Sequence, residues 1–177
     1  MGELSENIKA TFSNLLQIYE ETADMFLDAD DLMIRNGHRV LKGSALESGT
    51  SKSLDSPRWW ATFSGVRYYV PDDDPLIAKS IGVFFMDSRL EPMDPIIVYS
   101  CMHAVDDEDE DEISPYWVIW DAWFKNLSDR SLDVDHTFPS LRKVAGGKIR
   151  ALLLEEINDR QQLEDLVISQ LLGMDWR

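Results

Sequence analysis

The sequence has few features that could cross-link the chain or attach it to a membrane. Its 177 residues include one cysteine, Cys101, so no disulfide can form within the chain. No apolar segment approaches the ~18 residues that a membrane-spanning helix needs, and no cationic stretch followed by an apolar one opens the sequence. We therefore expect a protein of the reducing cytoplasm that has no membrane anchor.

Positive charge is also scarce. The chain has 17 lysines and arginines against 33 aspartates and glutamates, which gives a formal net charge of -16 and an isoelectric point near 4.4. Such a field repels phosphate polymers and anionic membrane surfaces, so we expect no direct binding to nucleic acid or to membranes. A charged partner should be basic. Adaptation to high salt is an alternative origin of the acidity.

The motifs that mark cofactor and metal sites are missing. The segment "VAGGKIRALL" (144–153) resembles a phosphate cradle, but Arg142 and Ile149 occupy the positions that require a glycine and a hydroxyl residue. We interpret its glycines as a helix-breaking turn. An EF-hand loop started at Asp107 would need glycine at the position of Glu112 and glutamate at the position of Val118. The sequence therefore predicts no cofactor and no metal.

The chain begins with a helical pattern from Ser5, a possible N-cap, to about Arg35. The stripe recurs at alternating steps of four and three: Ile8, Phe12, Leu15, Tyr19, Thr22, Phe26, Ala29 and Met33. Such a stripe can pack on the protein's own sheet or form a homodimer interface, and the breadth of the stripe favours its own sheet. The protein is therefore expected to be a monomer, or a homodimer through this helix.

Four apolar runs rich in β-branched and aromatic residues follow, at 58–70, 81–87, 96–104 and 113–124. The first three predict strands, and the fourth favours a strand although its tryptophans also have helical spacing. From about 141 to 172 the pattern is helical again, with breaks at Gly146-Gly147 and near Asn158-Asp159. The predicted fold is one α+β domain over residues 1–177: a long N-terminal helix, an antiparallel meander of four or five strands, and C-terminal helices packed on the sheet.

Two loops interrupt this order. Residues 43–57 are rich in serine and glycine and predict a flexible loop. Residues 106–112 form an unbroken acidic run, which we interpret as the solvated tip of a hairpin that could also dock a basic partner. The candidate partner-binding residues in this run are Asp106, Asp107, Glu108, Asp109, Glu110, Asp111 and Glu112.

Tryptophans add a second candidate surface. Adjacent Trp59 and Trp60 must face opposite sides of a strand, so one of them helps to form an exposed surface unless both sheet faces are covered. Aromatic side chains within a polar rim are common anchors of protein interfaces. Trp59 and Trp60 are therefore candidate partner-binding residues, with core packing as the alternative.

One group could carry catalysis. Cys101 and His103 are two residues apart, so on a strand their side chains share a face, and Asp121 from the next run could orient the base. The simpler interpretation is a buried, inert cysteine. We therefore expect no catalytic site, with Cys101, His103 and Asp121 as the only candidates.

Three functions fit these observations. The first is a non-catalytic cytoplasmic interaction protein, such as an adaptor, chaperone or inhibitor, that docks a basic partner. The second is a nucleic-acid mimic that occupies a DNA- or RNA-binding protein, although a mimic should space its carboxylates more regularly. The third is a small enzyme that uses the dispersed Cys101, His103 and Asp121 group.

Overall fold

A computed structural model describes residues 2–41, 43–48, 54, 62, 64–86, 92–104, 136–137 and 144–176. Its elements, in chain order, are helix α1 (Gly2–Arg35) and strands β1 (His38–Val40), β2 (Ser64–Pro71), β3 (Ile77–Met86), β4 (Pro92–Ala104), β5 (His136–Thr137) and β6 (Val144–Leu153). A 3-10 turn (Leu154–Glu156) then leads to α2 (Arg160–Leu163), a π-helical turn (Glu164–Ile168) and α3 (Ser169–Gly173). The last three run on without a break, and we call them together the C-terminal helix (160–173).

The predicted α+β class is confirmed. The described strands form one antiparallel sheet in the order β1-β2-β3-β4-β6-β5. Strands β2, β3 and β4 follow one another as a meander and overlap the first three predicted runs. The two outer strands are only three and two residues long, so the long strands are β2, β3, β4 and β6.

Strand β6 corrects the sequence analysis, which placed a turn and the start of a helix there. Residues 146 to 153 pair with β4 residues 103 to 96, with Gly146 opposite His103 and Gly147 opposite Met102. Within the segment, Lys148 and Arg150 alternate with Ile149 and Ala151, which has the period of two that a strand requires. The glycines and the row of apolar residues obscured that alternation.

Helix α1 ends as its sequence predicts, at Arg35, where Gly37 adopts a left-handed φ of 74°. It starts at Gly2, three residues before the predicted cap at Ser5. Its last third packs on the sheet, with Phe26, Ala29 and Met33 buried. Residues 4 to 14, in contrast, are all exposed, so the first part of the helix extends beyond the packed domain.

The helices cover one face of the sheet. Because side chains alternate along a strand, Tyr69 of β2, Ile81 of β3 and Ile97 of β4 share the face on which α1 and the C-terminal helix pack. The opposite face is buried as well. Its buried side chains include Val66, Tyr68, Phe84, Val98, Met102 and Ile149.

A buried ion pair joins α1 to the sheet. Arg67 of β2 is 5% exposed and meets the Asp30 carboxylate of α1 through Nε and Nη2. Its Nη1 donates to the carbonyl oxygens of Gly43 and Ala45 at 2.7 and 2.8 Å. The Tyr69 hydroxyl donates to the same carboxylate at 3.0 Å, and burial raises the pKa of Tyr69 well above its ordinary value. The guanidinium and carboxylate are therefore satisfied without solvent.

We expect Asp30→Ala to lower the free energy of unfolding by about 3–5 kcal/mol, because it leaves the buried Arg67 charge without its partner. The matched control is Asp31→Ala. Asp31 is the next residue along the helix, and its ion pairs with Arg35 and Arg160 are solvent-exposed, so its loss should lower the free energy of unfolding far less than the loss of Asp30 does. Urea unfolding of both variants measures the difference, and equal losses would show that the buried pair does not anchor α1.

Candidate functional site

A groove runs between the middle of α1, the ends of β3 and β4 and the segment that leads into the C-terminal helix. Its volume is about 480 Å³, within the range of binding pockets. Its apolar lining is formed by Ile18, Met25, Phe85, Pro95, Leu154, Ile157 and Leu163. Its acidic lining is formed by Glu21, Asp24, Asp28 and Asp159. We call it the acidic groove.

The acids of α1 form a row along one edge of this groove. Glu21, Asp24 and Asp28 are spaced by three and four residues, so they lie on one side of the helix. Like charges at this spacing destabilise a helix by a few tenths of a kcal/mol per pair. The row is therefore unfavourable for α1 taken alone, and the described residues of the chain compensate part of it.

Arg160 supplies that compensation at the C-terminal end of the row. Its Nη1 donates to Asp28 at 2.7 Å, and its Nη2 pairs with Asp31. The hydrogen bond from Arg160 and the charge of Arg35 lower the pKa of Asp31. Glu21 accepts a hydrogen bond from a neutral donor, the Gln17 amide, at 2.8 Å. Among the described residues, no lysine or arginine forms an ion pair with Glu21 or Asp24. Within the described part of the chain, the negative charge of Glu21 and Asp24 is therefore not neutralised by an ion pair.

Asp159 completes the opposite edge. Its carboxylate accepts from the Gln162 backbone N–H at 2.8 Å and caps the C-terminal helix, close to the predicted break at Asn158-Asp159. This cap fixes where the helix begins and so places Arg160 opposite Asp28. An apolar surface bounded by acids can accept apolar side chains and cationic groups from the same ligand.

Cys101 and His103 do share a face of β4, as the alternation of the strand predicts, but they do not form a nucleophilic site. Cys101 is 1% exposed, and burial raises the pKa of its thiol. In the sheet it lies opposite Lys79 on one side and Lys148 on the other. An activated cysteine needs a lowered pKa and access for substrate, and Cys101 has neither.

Lys79 has a structural role beside it. Its Nζ donates to the carbonyl oxygens of Leu171 and Leu172 at 2.7 and 2.9 Å, at the end of the C-terminal helix. A cation at this end complements the helix dipole. Burial lowers the pKa of Lys79. Lys79 therefore holds the C-terminal helix against the sheet.

His103 packs against the end of the described chain. Its ring stacks on Trp176 with centroids 4.4 Å apart and an angle of 30° between the planes. Its Nδ1 is buried without a hydrogen-bond partner. A smaller cavity of about 270 Å³ lies nearby, between β6 and the C-terminal helix, and is lined by Lys148, Arg150 and Asp175 among others. Because this cavity is lined by both cationic and acidic side chains, its charge does not indicate whether a ligand would be a cation or an anion.

The other candidate residues from the sequence lie outside the described part of the chain. These are the acidic run 106–112, Trp59, Trp60 and Asp121, together with the strand or helix at 113–124. The sequence analysis missed the acidic groove, although the three- and four-residue spacing of Glu21, Asp24 and Asp28 was visible.

The same described residues contain no metal-binding cluster and no membrane-spanning helix. No group of three or more histidines, cysteines, aspartates or glutamates comes together there in a way that could hold a metal ion. Within those ranges, no helix has the length and apolar character needed to cross a membrane. Comparisons of the chain with protein-family models, with curated proteins and with solved structures find no match.

We expect Cys101 to react with a thiol-specific dye at least about tenfold more slowly in the native protein than in urea. Raising the pH from 7 to 9 should leave the native rate low, because burial raises the thiol pKa, whereas the unfolded thiol ionises near ~8.5. His103→Gln should leave this pattern unchanged. Rapid native labelling at pH 6 that His103→Gln abolishes would instead reveal an activated Cys–His pair.

Proposed function

We propose that this protein is a non-catalytic interaction protein of the adaptor, chaperone or inhibitor type, and that it docks a basic partner in the acidic groove. The observation that carries the proposal is the row formed by Glu21 and Asp24 beside an apolar lining. No described lysine or arginine forms an ion pair with these two acids. Their mutual repulsion destabilises the helix that carries them. A cationic partner would remove that repulsion.

The lining indicates what such a partner presents. Apolar side chains would contact Phe85, Leu154 and Ile157, while lysines or arginines on either side would reach Glu21 and Asp24. An amphipathic basic helix has this pattern, since apolar anchors at three- and four-residue spacing fill a groove and the flanking positions carry charge.

The charge of the whole protein supports the same partner. A net charge of -16 speeds the approach of cations and repels polyanions, so the field favours basic proteins over nucleic acid or anionic lipid. A single free cysteine is compatible with a reducing compartment, and we place the function in the cytoplasm. The raised pKa and burial of Cys101 weigh against the alternative of a small enzyme.

The test uses a synthetic helical peptide of leucine and lysine with one apolar face, and measures its Kd by fluorescence anisotropy. We expect Glu21→Gln/Asp24→Asn to raise the Kd about tenfold at 0.1 M salt, because it removes two charges that border the groove. The matched control is Asp72→Asn/Asp73→Asn, which removes the same charge from the exposed β2–β3 turn. It should change the Kd less than about twofold, because charges more than a Debye length away are largely screened.

Two further arms separate docking from nonspecific attraction. A peptide of the same composition with scrambled leucines should bind more weakly, because it lacks a continuous apolar face. Raising the salt to 0.5 M more than halves the Debye length and should weaken binding without abolishing it. Equal effects of the two double substitutions would overturn the proposal, because they would show that only the net charge attracts the peptide.

A further inference from the structure

The acidic groove does not carry the same charge along its length. The α1 residues that line it run from Ile18 to Asp28, so the groove follows about 15 Å of the helix axis. Glu21 and Asp24 lie towards one end, which we call the Glu21 end. Asp28 lies at the other end beside Arg160, which also lines the groove, and we call this the Arg160 end.

The described ion pairs neutralise the Arg160 end. The Arg160 guanidinium donates to Asp28 through Nη1 at 2.7 Å and pairs with Asp31 through Nη2. Arg35 contacts Asp31 as well, at 2.8 Å. The hydrogen bond from Arg160 lowers the pKa of Asp31, and the same bond raises the pKa of Arg160. The charges of two arginines and two aspartates therefore cancel at this end.

The acid next to Arg160 in the sequence, Asp159, is bound to the protein's own backbone. Its carboxylate accepts from the Gln162 backbone N–H at 2.8 Å as the cap of the C-terminal helix. The positive end of a helix dipole offsets part of a charge in this position. The Arg160 side chain is 37% exposed, so its guanidinium is accessible from the groove. A cation that enters this end therefore meets a guanidinium and carboxylates that are already engaged.

The Glu21 end differs in its charge. Among the described residues, no lysine or arginine pairs with Glu21 or Asp24. Glu21 and Asp28 are seven residues apart, which is about 10 Å along the helix axis. The Debye length at 0.1 M salt is also about 10 Å, so a bound cation responds mainly to the end at which it lies. The groove therefore attracts cations more strongly at the Glu21 end.

We propose that Arg160 sets the direction in which a basic helix binds in the acidic groove. The lysines or arginines of that helix lie beside Glu21 and Asp24, and the turn that reaches Arg160 carries apolar side chains without cations. If Arg160 were absent, Asp28 would extend the row of unpaired acids, and cations could bind along the whole groove. This direction rests on the proposed docking of a basic partner, and it makes Arg160 the residue that selects the partner's charge distribution.

Two peptides of leucine and lysine with the same composition and the same apolar face test this role. The clustered peptide carries its lysines at one end of the helix, and the spread peptide carries them at both ends. By fluorescence anisotropy at 0.1 M salt, we expect the parent protein to bind the clustered peptide about threefold more tightly. Arg160→Gln should lower the Kd of the spread peptide about threefold and remove the preference, because it leaves Asp28 without its partner.

Three further variants separate this effect from a change in net charge or in folding. Arg35→Gln is the matched control, because it removes the same charge from an ion pair with Asp31, but Arg35 is 68% exposed and does not line the groove. It should leave the preference unchanged. Arg160→Lys keeps the charge and should keep the preference. Asp28→Asn in the Arg160→Gln variant should abolish the gain for the spread peptide.

The outcomes distinguish this role of Arg160 from docking itself. If both peptides bind the parent but Arg160→Gln tightens them equally, or acts as Arg35→Gln does, the groove docks basic helices and Arg160 does not direct them. If neither peptide binds the parent, or if Glu21→Gln/Asp24→Asn leaves both Kd values unchanged, docking in the groove is overturned and the direction with it.

The direction itself can be measured by NMR on the full chain. A nitroxide on the lysine-bearing end of the clustered peptide should broaden the Ile18 amide signal more than the Asp28 amide signal, because roughly 15 Å of helix axis separate the two. A nitroxide on the opposite end should reverse this order, and Arg160→Gln should reduce the difference. Equal broadening of both signals by either label in the parent would exclude a preferred direction.

Discussion

The contact between Asp30 and Arg67 is the constraint on which much of this structure depends. It joins α1 to β2, and the same guanidinium donates to the carbonyl oxygens of Gly43 and Ala45 in the chain between those elements. Removing either charge would leave the other largely buried and without its partner. The helix therefore has one preferred depth and rotation on the sheet. That rotation directs Phe26, Ala29 and Met33 inward and places Glu21, Asp24 and Asp28 along the groove.

The acidic residues of α1 differ in burial and in ion pairing although they lie within a few turns of one helix. Asp30 is largely buried and pairs with Arg67, while Asp28 and Asp31 are paired at the surface by Arg160. Glu21 and Asp24 have no such cation among the described residues. Arg160 reaches its partners because Asp159 caps the C-terminal helix at the correct position. Along α1, the acids near its C-terminal end are therefore paired with arginines. Glu21 and Asp24, which have no such partner among the described residues, lie beside the apolar lining of the groove.

The region around Cys101 illustrates why neighbouring reactive residues do not define a catalytic site. Cys101 lies between two lysines in the sheet, which would favour its thiolate, but burial has the larger effect and raises its pKa. Lys79 is itself committed to the last carbonyl groups of the C-terminal helix. His103 stacks on Trp176. The same residues that suggested chemistry in the sequence hold the C-terminal helix and the segment that follows it.

The sequence by itself determined the α+β class, the end of α1 and the positions of β2, β3 and β4. Each of these follows from a local pattern: helical spacing that ends at Gly37, or runs of β-branched and aromatic residues. It also determined that Cys101 and His103 share a face, since alternation along a strand is local. Only the tertiary structure decided that 144–153 is a strand, because pairing with β4 outweighs the two glycines that suggested a turn. It likewise decided which acids are neutralised, since the distance between Asp28 and Arg160 depends on packing between elements 132 residues apart in the chain. Local sequence patterns determine the helices and strands, but the groove between them forms only when α1, the sheet and the C-terminal segment pack together.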